Sequence, residues 1–318
     1  MPAPGGLHVE VRAGAAFELL IALSAATGGE GAGELWLHLL GLALESPASL
    51  DARGFVDVVA ATDADELRRH LLGVYVPAWR EVAGAETLER AAAGDRAASS
   101  ELLQNDRYYA GKAREALAPI LPLSAAKTRR RVVGALRRFV DETFAKQEKD
   151  VVALLEEDAR AQRRLAAGRG GEALIAAATG GYVYEPEPEF ARVVLIPHLA
   201  AAPWLLLCQH RDARLICYPV ERATDAGEAV ANRALRLGRA LADERRIRIL
   251  RRLVAGEASL GELAEVAGLA KSTAHHHLSQ LRAAGLVTMG GNARRYWYRL
   301  RPDGVGEARA LLGELLVP

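Results

Sequence analysis

The chain has 318 residues, 50% of them hydrophobic and 25% charged, and its formal net charge at pH 7 is +1. This composition is that of a soluble globular protein, and the length indicates two domains. No apolar run reaches the roughly 18 residues of a membrane-spanning helix, and the first residues lack a signal-peptide pattern. Two cysteines exclude a disulfide framework. We therefore expect a cytoplasmic protein with no membrane partner.

The net charge conceals an uneven distribution. From Arg239 to the end there are 13 Lys or Arg against 8 Asp or Glu, whereas the preceding residues carry 28 against 32. A basic surplus is a weak indication of a nucleic-acid partner. A solvated charged face would produce the same surplus.

The first part of the chain is predicted to be mostly helical. HVEVRAG (8–14) has the pattern of a short strand, and AAFELLIALSAAT (15–27) and ELWLHLLGLAL (34–44) have helical patterns. Further short helices are expected up to about residue 118, separated by prolines. We assign no family to residues 1–225 from their sequence.

The longest predicted element follows, at 124–167. It contains no proline, and its apolar residues recur about every 3.5 positions. As one helix it would be longer than a compact domain needs, so we expect either a bend, with Gly134 as the candidate position, or pairing with a partner helix. Core packing and a dimer seam both stay open.

Between residues 180 and 219 the pattern changes to that of strands. ARVVLIPHL (191–199), PWLLLCQH (203–210) and RLICYPV (214–220) are predicted strands, with HRDAR turning between the last two. A tight turn centred between Asp212 and Ala213 would place Cys208 opposite Cys217. The pair would then be either two buried thiols or a redox-sensing disulfide. The small and charged residues at 224–233 indicate a boundary between a domain at 1–225 and a domain at 226–318.

The second domain has the order of elements of a winged helix-turn-helix. A helix at 241–257 begins at Asp243 as N-cap, and a helix at 259–268 has a capping box formed by Ser259 and Glu262. After a tight turn comes a helix at 271–284, ended by Gly285. Two helices joined in this way place the second in the major groove of DNA. GLVTM, the turn GGNAR and RYWYRL add a hairpin, which is the wing.

The third of these helices contains three consecutive histidines, at 275–277. Adjacent residues on a helix point about 100° apart, so the three imidazoles cannot converge on one metal ion. We expect one helix face, with Ala274, Leu278 and Leu281, to pack inward and the rest to point outward. His277 stands beside Leu278, so helix packing and DNA contact are both open for it.

The segments ALADERRIRILRRL, SLGELAEVAGLAKSTAHHHLSQLRAAGLV and NARRYWYRLRPDG resemble the arsenic-repressor-type (ArsR) winged-helix regulators over about residues 234–318. The resemblance implies a homodimer that binds an inverted-repeat DNA operator as a repressor released by an effector. It assigns DNA contact to the start of the recognition helix and to the wing, here Lys271, Ser272, Thr273, His275, His276, Arg294 and Arg295. Family members commonly have Ser where this chain has His275, so its base preference is expected to differ.

Metal sensors of this family carry a cysteine motif on the first helix of the helix-turn-helix, but that helix here reads SLGELAEVAG. We therefore expect regulation without a metal or cofactor. Metal- or redox-responsive regulation and an enzymatic first domain are the alternatives. For the latter, five histidines lie among carboxylates, but no catalytic motif accompanies them. They are His8, His38, His70, His198 and His210.

The fold class expected is mainly α (α+β). A C-terminal winged helix-turn-helix follows a larger, mostly helical N-terminal domain that contains a small β-sheet. The N-terminal domain is large enough for a pocket that senses a small-molecule effector. Its aromatic residues would either line that pocket or pack in the core: Trp36, Trp79, Tyr108, Tyr109, Tyr182, Tyr184 and Trp204. Dimer contacts are expected from the helix ending near Leu253, the C-terminal helix or the long helix after Ser124.

Overall fold

The computed structural model describes residues 7–28, 32–166, 168, 170–220, 226–292 and 295–316. Its helices are α1 (Ala15–Ala26), α2 (Glu34–Leu37), α3 (Leu40–Glu45), α4 (Ala52–Ala61), α5 (Ala64–Leu71), α6 (Pro77–Ala83), α7 (Ala85–Ala92), α8 (Arg96–Gln104), α9 (Ala113–Leu117), α10 (Ala125–Glu142), α11 (Glu148–Ala166), α12 (Gly171–Ala178), α13 (Ala226–Leu241), α14 (Glu244–Val254), α15 (Leu260–Ala267), α16 (Lys271–Ala283) and α17 (Gly304–Leu316). Its strands are β1 (Val9–Val11), β2 (Val183–Tyr184), β3 (Arg192–His198), β4 (Leu206–His210), β5 (Ala213–Pro219), β6 (Val287–Asn292) and β7 (Arg295–Leu300). The mainly α fold class with small sheets is confirmed.

A four-stranded sheet occupies the middle of the molecule. Its strand order is β1-β3-β5-β4, with β1, β3 and β5 parallel and β4 antiparallel to β5. Strands β3 and β5 are central and buried on both faces, which is why they appear in the sequence as continuous apolar runs. The strands predicted from those runs are confirmed.

The two faces of this sheet belong to different hydrophobic cores. Val194 and Leu215 point into a first core, which they share with helices α1 to α10. Val193 and Ile216 point into a second core, which they share with α11, α12 and the winged helix. Because side chains alternate along a strand, one sheet serves as the wall of both cores. The C-terminal elements therefore pack directly on the N-terminal region.

A second, three-stranded sheet connects the two regions. Strands β6 and β7 form the antiparallel wing, and β2 of the N-terminal region pairs with β6 in parallel, with Val183 opposite Gly290. Gly290 lies under the indole of Trp297, and a Cβ at Gly290 would come within 2.0 Å of that ring. The sequence placed Gly290 and Gly291 in the hairpin turn, which is wrong: both belong to β6.

The long helix predicted at 124–167 is two helices, and the predicted bend at Gly134 is wrong. Helix α10 runs past Gly134 to Glu142, and its C-cap residue Thr143 has a φ of −128° and a ψ of −59°, which are not helical. The short 3₁₀ turn Phe144–Lys146 follows, and Phe144 is buried in the first core. Burial of this aromatic side chain accounts for a break that the apolar period alone does not show.

The sequence predicts a domain boundary at 224–233. In the structure, helix α13 begins within this segment, at Ala226.

The predicted register of the β4–β5 hairpin is also wrong. Cys208 lies opposite Leu215, and Cys217 lies opposite Leu206. The turn is centred one residue earlier than predicted, between Arg211 and Asp212, and Arg211 adopts a positive φ of 50°. The two cysteines are therefore diagonal neighbours on the face toward the first core, and both are free thiols. The Cys208 thiol and burial raise the pKa of the Cys217 thiol well above its usual value.

No helix among the described residues is long and apolar enough to cross a membrane.

Candidate nucleic-acid interface

Helix α15 and the turn after it position the predicted recognition helix α16. The predicted capping box is present: Ser259 Oγ accepts a hydrogen bond from the Glu262 amide, and the Glu262 carboxylate accepts one from the Ser259 amide at 2.8 Å. The helix ends at Gly268 in the left-handed conformation, with φ 65°. Glycine adopts this conformation with no steric cost, so the chain reverses sharply into α16.

The inner face of α16 holds it on the second core. Ala274, Leu278 and Leu281 are fully buried, as the apolar spacing predicts. Apolar burial of this kind contributes about 1.5–3 kcal/mol for each large side chain. The helix is therefore a fixed part of the winged helix, and its opposite face determines what it can bind.

The outer face of α16 presents the predicted contact residues at its first turns. Lys271, Ser272, Thr273 and His276 are exposed to solvent. The N-cap residue Ala270 makes no side-chain capping hydrogen bond. The first backbone N–H groups of a helix carry partial positive charge, so this end of α16 suits an anionic partner such as phosphate.

The last of the three histidines packs inward instead. His277 is buried, and its Nδ1 lies 3.1 Å from Nη1 of Arg246, which donates to it. Desolvation lowers the pKa of His277, so the ring is neutral at pH 7. Arg246 also donates to the carbonyls of Arg239 and Ala240, at 2.7 and 2.8 Å. His277 thus ties α16 to α14 and to the end of α13, and its side chain does not lie on the exposed face of α16.

Sequence reasoning missed the neighbour of the other two histidines. The Trp204 ring, from the segment between β3 and β4, lies 5.0 Å from the His275 ring and 5.6 Å from the His276 ring, centroid to centroid. His276 Nε2 also lies 2.7 Å from Nε2 of Gln280. The local sequence around Trp204 contains no signal for this contact, because about seventy residues separate it from α16.

On the wing, Arg295 begins β7 and is exposed, whereas Arg294 lies outside the described residues. A carboxylate approaches the same strand: Trp297 Nε1 donates to Glu185 Oε1 at 2.9 Å. The predicted DNA-contact residues that the structure describes therefore form two groups. Lys271, Ser272, Thr273 and Arg295 are open to solvent, whereas His275 and His276 are partly covered by Trp204.

Three histidines of the N-terminal region, His38, His70 and His210, are buried and contact neighbouring side chains. His70 and His210, distant in sequence, stack with parallel rings 5.6 Å apart, and His210 Nε2 bonds Glu45 at 2.9 Å. His38 accepts from the Trp79 indole at 2.9 Å inside a cluster with Tyr109. Burial lowers the pKa of His38 and His70 to about 4. Across the described part of the chain, no group of three or more His, Cys, Asp or Glu is arranged to hold a metal ion.

Comparison with known proteins agrees with this geometry. A family model described as a helix-turn-helix domain matches residues 241–290. The HTH-type transcriptional regulator CmtR of Mycobacterium tuberculosis is 44% identical over 81 residues, which are 26% of this chain and 66% of CmtR. The uncharacterized HTH-type transcriptional regulator YceK of Bacillus subtilis is 42% identical over 67 residues, 20% of this chain and 67% of YceK.

Among solved structures, the chain is similar to the homodimeric winged helix-turn-helix DNA-binding domain of Mb0332 from Mycobacterium bovis, described as a possible ArsR-family regulator. The two are 30% identical, with a TM-score of 0.25, and the match covers 30% of this chain and 89% of that one. The C-terminal part of the chain belongs to the ArsR-type helix-turn-helix regulators. The matches to this ArsR-type domain cover less than a third of the chain, and the match to CmtR spans just under two thirds of that protein.

Proposed function

We propose that the chain is a homodimeric, cytoplasmic transcriptional repressor that binds an inverted-repeat operator in double-stranded DNA. The observation that carries the proposal is the division of α16 into a fully buried inner face and an outer face that exposes Lys271, Ser272, Thr273 and His276. A helix anchored in this way can enter a major groove as a rigid unit.

The exposed side chains have the chemistry for two kinds of DNA contact. Lys271 and Arg295 carry positive charge that suits phosphate oxygens, which fix position without reading sequence. The hydroxyls of Ser272 and Thr273 and the imidazole of His276 can bond base edges, which read sequence. Arg294, which the resemblance also assigns to the wing, stays part of the proposal.

A dimer follows from the few base pairs that one helix can cover. Two recognition helices related by a twofold axis occupy successive major grooves about 10 base pairs apart. Helices α13 and α17 pack together and leave apolar side chains exposed, including Leu235 at 55%, Val305 at 73% and Leu312 at 46%. We propose this pair of helices as the dimer surface.

Selection of bound sequences from a random DNA pool tests the proposal. The expected result is an imperfect inverted repeat with half-sites about 10 base pairs apart. Thr273→Ala should change the preferred bases, at about 1–3 kcal/mol for a lost base contact, whereas Thr87→Ala in the N-terminal region should not. Recovery of no preferred sequence with the whole chain would reject sequence-specific binding.

We further propose that regulation needs no metal or cofactor, that the chain is not an enzyme, and that the N-terminal region senses a small-molecule effector. Addition of a chelator should leave operator affinity unchanged. A fragment that starts at Ala226 should keep the sequence preference and lose the response to any effector of the whole chain. A full effector response from the fragment would place the sensor in the ArsR-type domain.

A further inference from the structure

Residues 199–205, which we call the strap, connect β3 to β4 and lie against the recognition helix. The strap contacts α16 at two positions along the length of the helix. Trp204 contacts the rings of His275 and His276, and the Pro203 carbonyl accepts a hydrogen bond from Arg282 Nη2 at 2.9 Å. His275 and Arg282 are seven residues apart and lie on one side of the helix. The strap therefore runs along the flank of α16 that borders its exposed face.

Hydrogen bonds to the N-terminal region hold the strap in place. Glu18 of α1 is almost fully buried, and its carboxylate accepts hydrogen bonds from the amides of Leu199 and Ala200, the shortest being 2.8 Å. His198 Nε2 donates to the Trp204 carbonyl at 3.1 Å. Both ends of the strap are thus bound to the N-terminal region. Its position against α16 depends on the state of that region.

A second attachment lies beside the strap. Arg282 Nη1 donates to the Thr179 carbonyl at 3.0 Å, and the Tyr182 hydroxyl donates to the Gly291 carbonyl at 2.8 Å. Glu185 then accepts from Trp297 on the wing. The N-terminal region therefore holds the flank of α16 and the edge of the wing together, and it places a carboxylate next to a strand that is proposed to meet phosphate.

The Trp204 indole occupies space beside α16 that a bound DNA duplex would need. A helix with its side chains is about 10–12 Å across, and the major groove is about 12 Å wide. A groove that receives α16 has no room for a tryptophan ring against His275 and His276. The faces of His275 and His276 that pack on Trp204 therefore cannot meet the groove while the indole is in place.

We propose that the strap is an autoinhibitory element, in which Trp204 competes with operator DNA for His275 and His276. The inference rests on the proposed DNA binding by α16. Tight binding then requires that the strap leave the helix, and the buried contacts of Glu18 with the strap are where a change in the N-terminal region acts on DNA affinity.

Two measurements on the full-length chain test the strap. In the first, the affinity for the selected operator is compared between wild type, Trp204→Ala and Trp204→Phe. Loss of one aromatic contact corresponds to about a threefold to tenfold change, so Trp204→Ala should bind about threefold to tenfold tighter. Trp204→Phe keeps a ring and should lie between the two. Equal or weaker binding by a Trp204→Ala protein that melts like wild type would overturn the proposal.

The second measurement uses the wild type alone and does not depend on how a variant folds. Hydrogen exchange at the Leu199 and Ala200 amides should become faster when operator DNA is added in excess, while amides in β5 stay unchanged. Slower exchange would mean that the strap is part of the DNA interface, and would reject autoinhibition but not DNA binding. Absence of operator binding by both wild type and Trp204→Ala would reject the proposed function itself.

Discussion

The three consecutive histidines of α16 show how one residue type takes three roles on one helix. His277 accepts a hydrogen bond from Arg246 in the interior, His275 is half-buried against Trp204, and His276 is exposed although its ring also contacts Trp204. The 100° step between neighbours on a helix separates these environments. The same step prevents the three rings from meeting at one metal ion.

Arg295 offers a direct test of phosphate contact. Arg295→Ala should weaken binding to all DNA sequences and reduce the slope of log affinity against log salt by about one, because one phosphate contact releases about one counterion. The slope is measured by fluorescence anisotropy between 50 and 200 mM salt. Arg138→Ala, an exposed change on α10, is the matched control. An unchanged slope in Arg295→Ala would remove this residue from the interface.

Glu18 should make stability depend on pH. Burial raises its pKa from 4.5 to about 7, so the folded chain binds a proton that the unfolded chain releases between these values. The stabilising contribution of the protonated carboxyl is present in full below pH 4.5 and is lost as the pH rises to about 7. At about 1.4 kcal/mol per pKa unit, the whole loss is on the order of 3 kcal/mol.

Glu18→Gln cannot titrate and isolates this effect. From pH 4.5 to pH 8 the free energy of unfolding of the variant should rise relative to wild type, as measured by urea titration at each pH. Buried histidines contribute equally to both proteins, so the difference between them reports Glu18. A difference that stays constant across the range would show that the Glu18 pKa is ordinary.

At the scale of elements, the β4–β5 hairpin determines the chemistry of the two cysteines. The Cys208 thiol and burial raise the pKa of Cys217 and keep it in the thiol form, whereas thiolate is the form that reacts. We expect operator affinity to be the same after treatment with a mild thiol oxidant and with a reductant. Cys208→Ser and Cys217→Ser should behave like wild type. A reversible change in affinity that disappears in both variants would establish a redox switch instead.

Elements with strong local signals could be predicted from the sequence. The capping box at Ser259, the glycine that ends α15 and the apolar run of β3 each depend on residues close together in the chain, and each is confirmed. The break at Thr143, the hairpin register and the pairing of β2 depend on packing between distant segments. The position of Trp204 depends on the same kind of packing. For this reason the exposed residues at the start of α16 could be predicted from the sequence, whereas the contact of Trp204 with His275 and His276 could not.

At the scale of the whole molecule, the N-terminal region and the ArsR-type domain pack against each other through the shared sheet and are not joined only by a linker. The seven aromatic residues that were expected either to line an effector pocket or to pack in the core illustrate this. Trp36, Tyr108 and Tyr109 are buried in the first core and Trp79 packs against it, Tyr182 and Tyr184 are buried in the second core, and Trp204 packs against α16. Among these residues, Trp204 joins the N-terminal region to α16, so movement in one reaches the other through direct contact.

The dimer proposed at α13 and α17 can be separated from the other candidate elements by three matched changes. Leu312→Glu on α17 places a charge on the exposed apolar surface and should give a monomer by light scattering, with weaker operator binding. Val254→Glu on α14 and Leu165→Glu on α11 change exposed residues of the other two candidates and should leave the dimer intact. Dissociation by either of these, with Leu312→Glu still dimeric, would move the interface.

The pairing of β2 with β6 also bears on how such chains recombine. A short module of this type can be inherited or exchanged as a continuous stretch, but here Val183 and Tyr184 form the outer strand of its sheet from another part of the chain. A chimera that receives only residues 226–318 leaves the edge of β6 unpaired, and exposed edges invite association with other chains. Exchange of this module alone would therefore remove a strand partner that lies outside the matched stretch at 241–290.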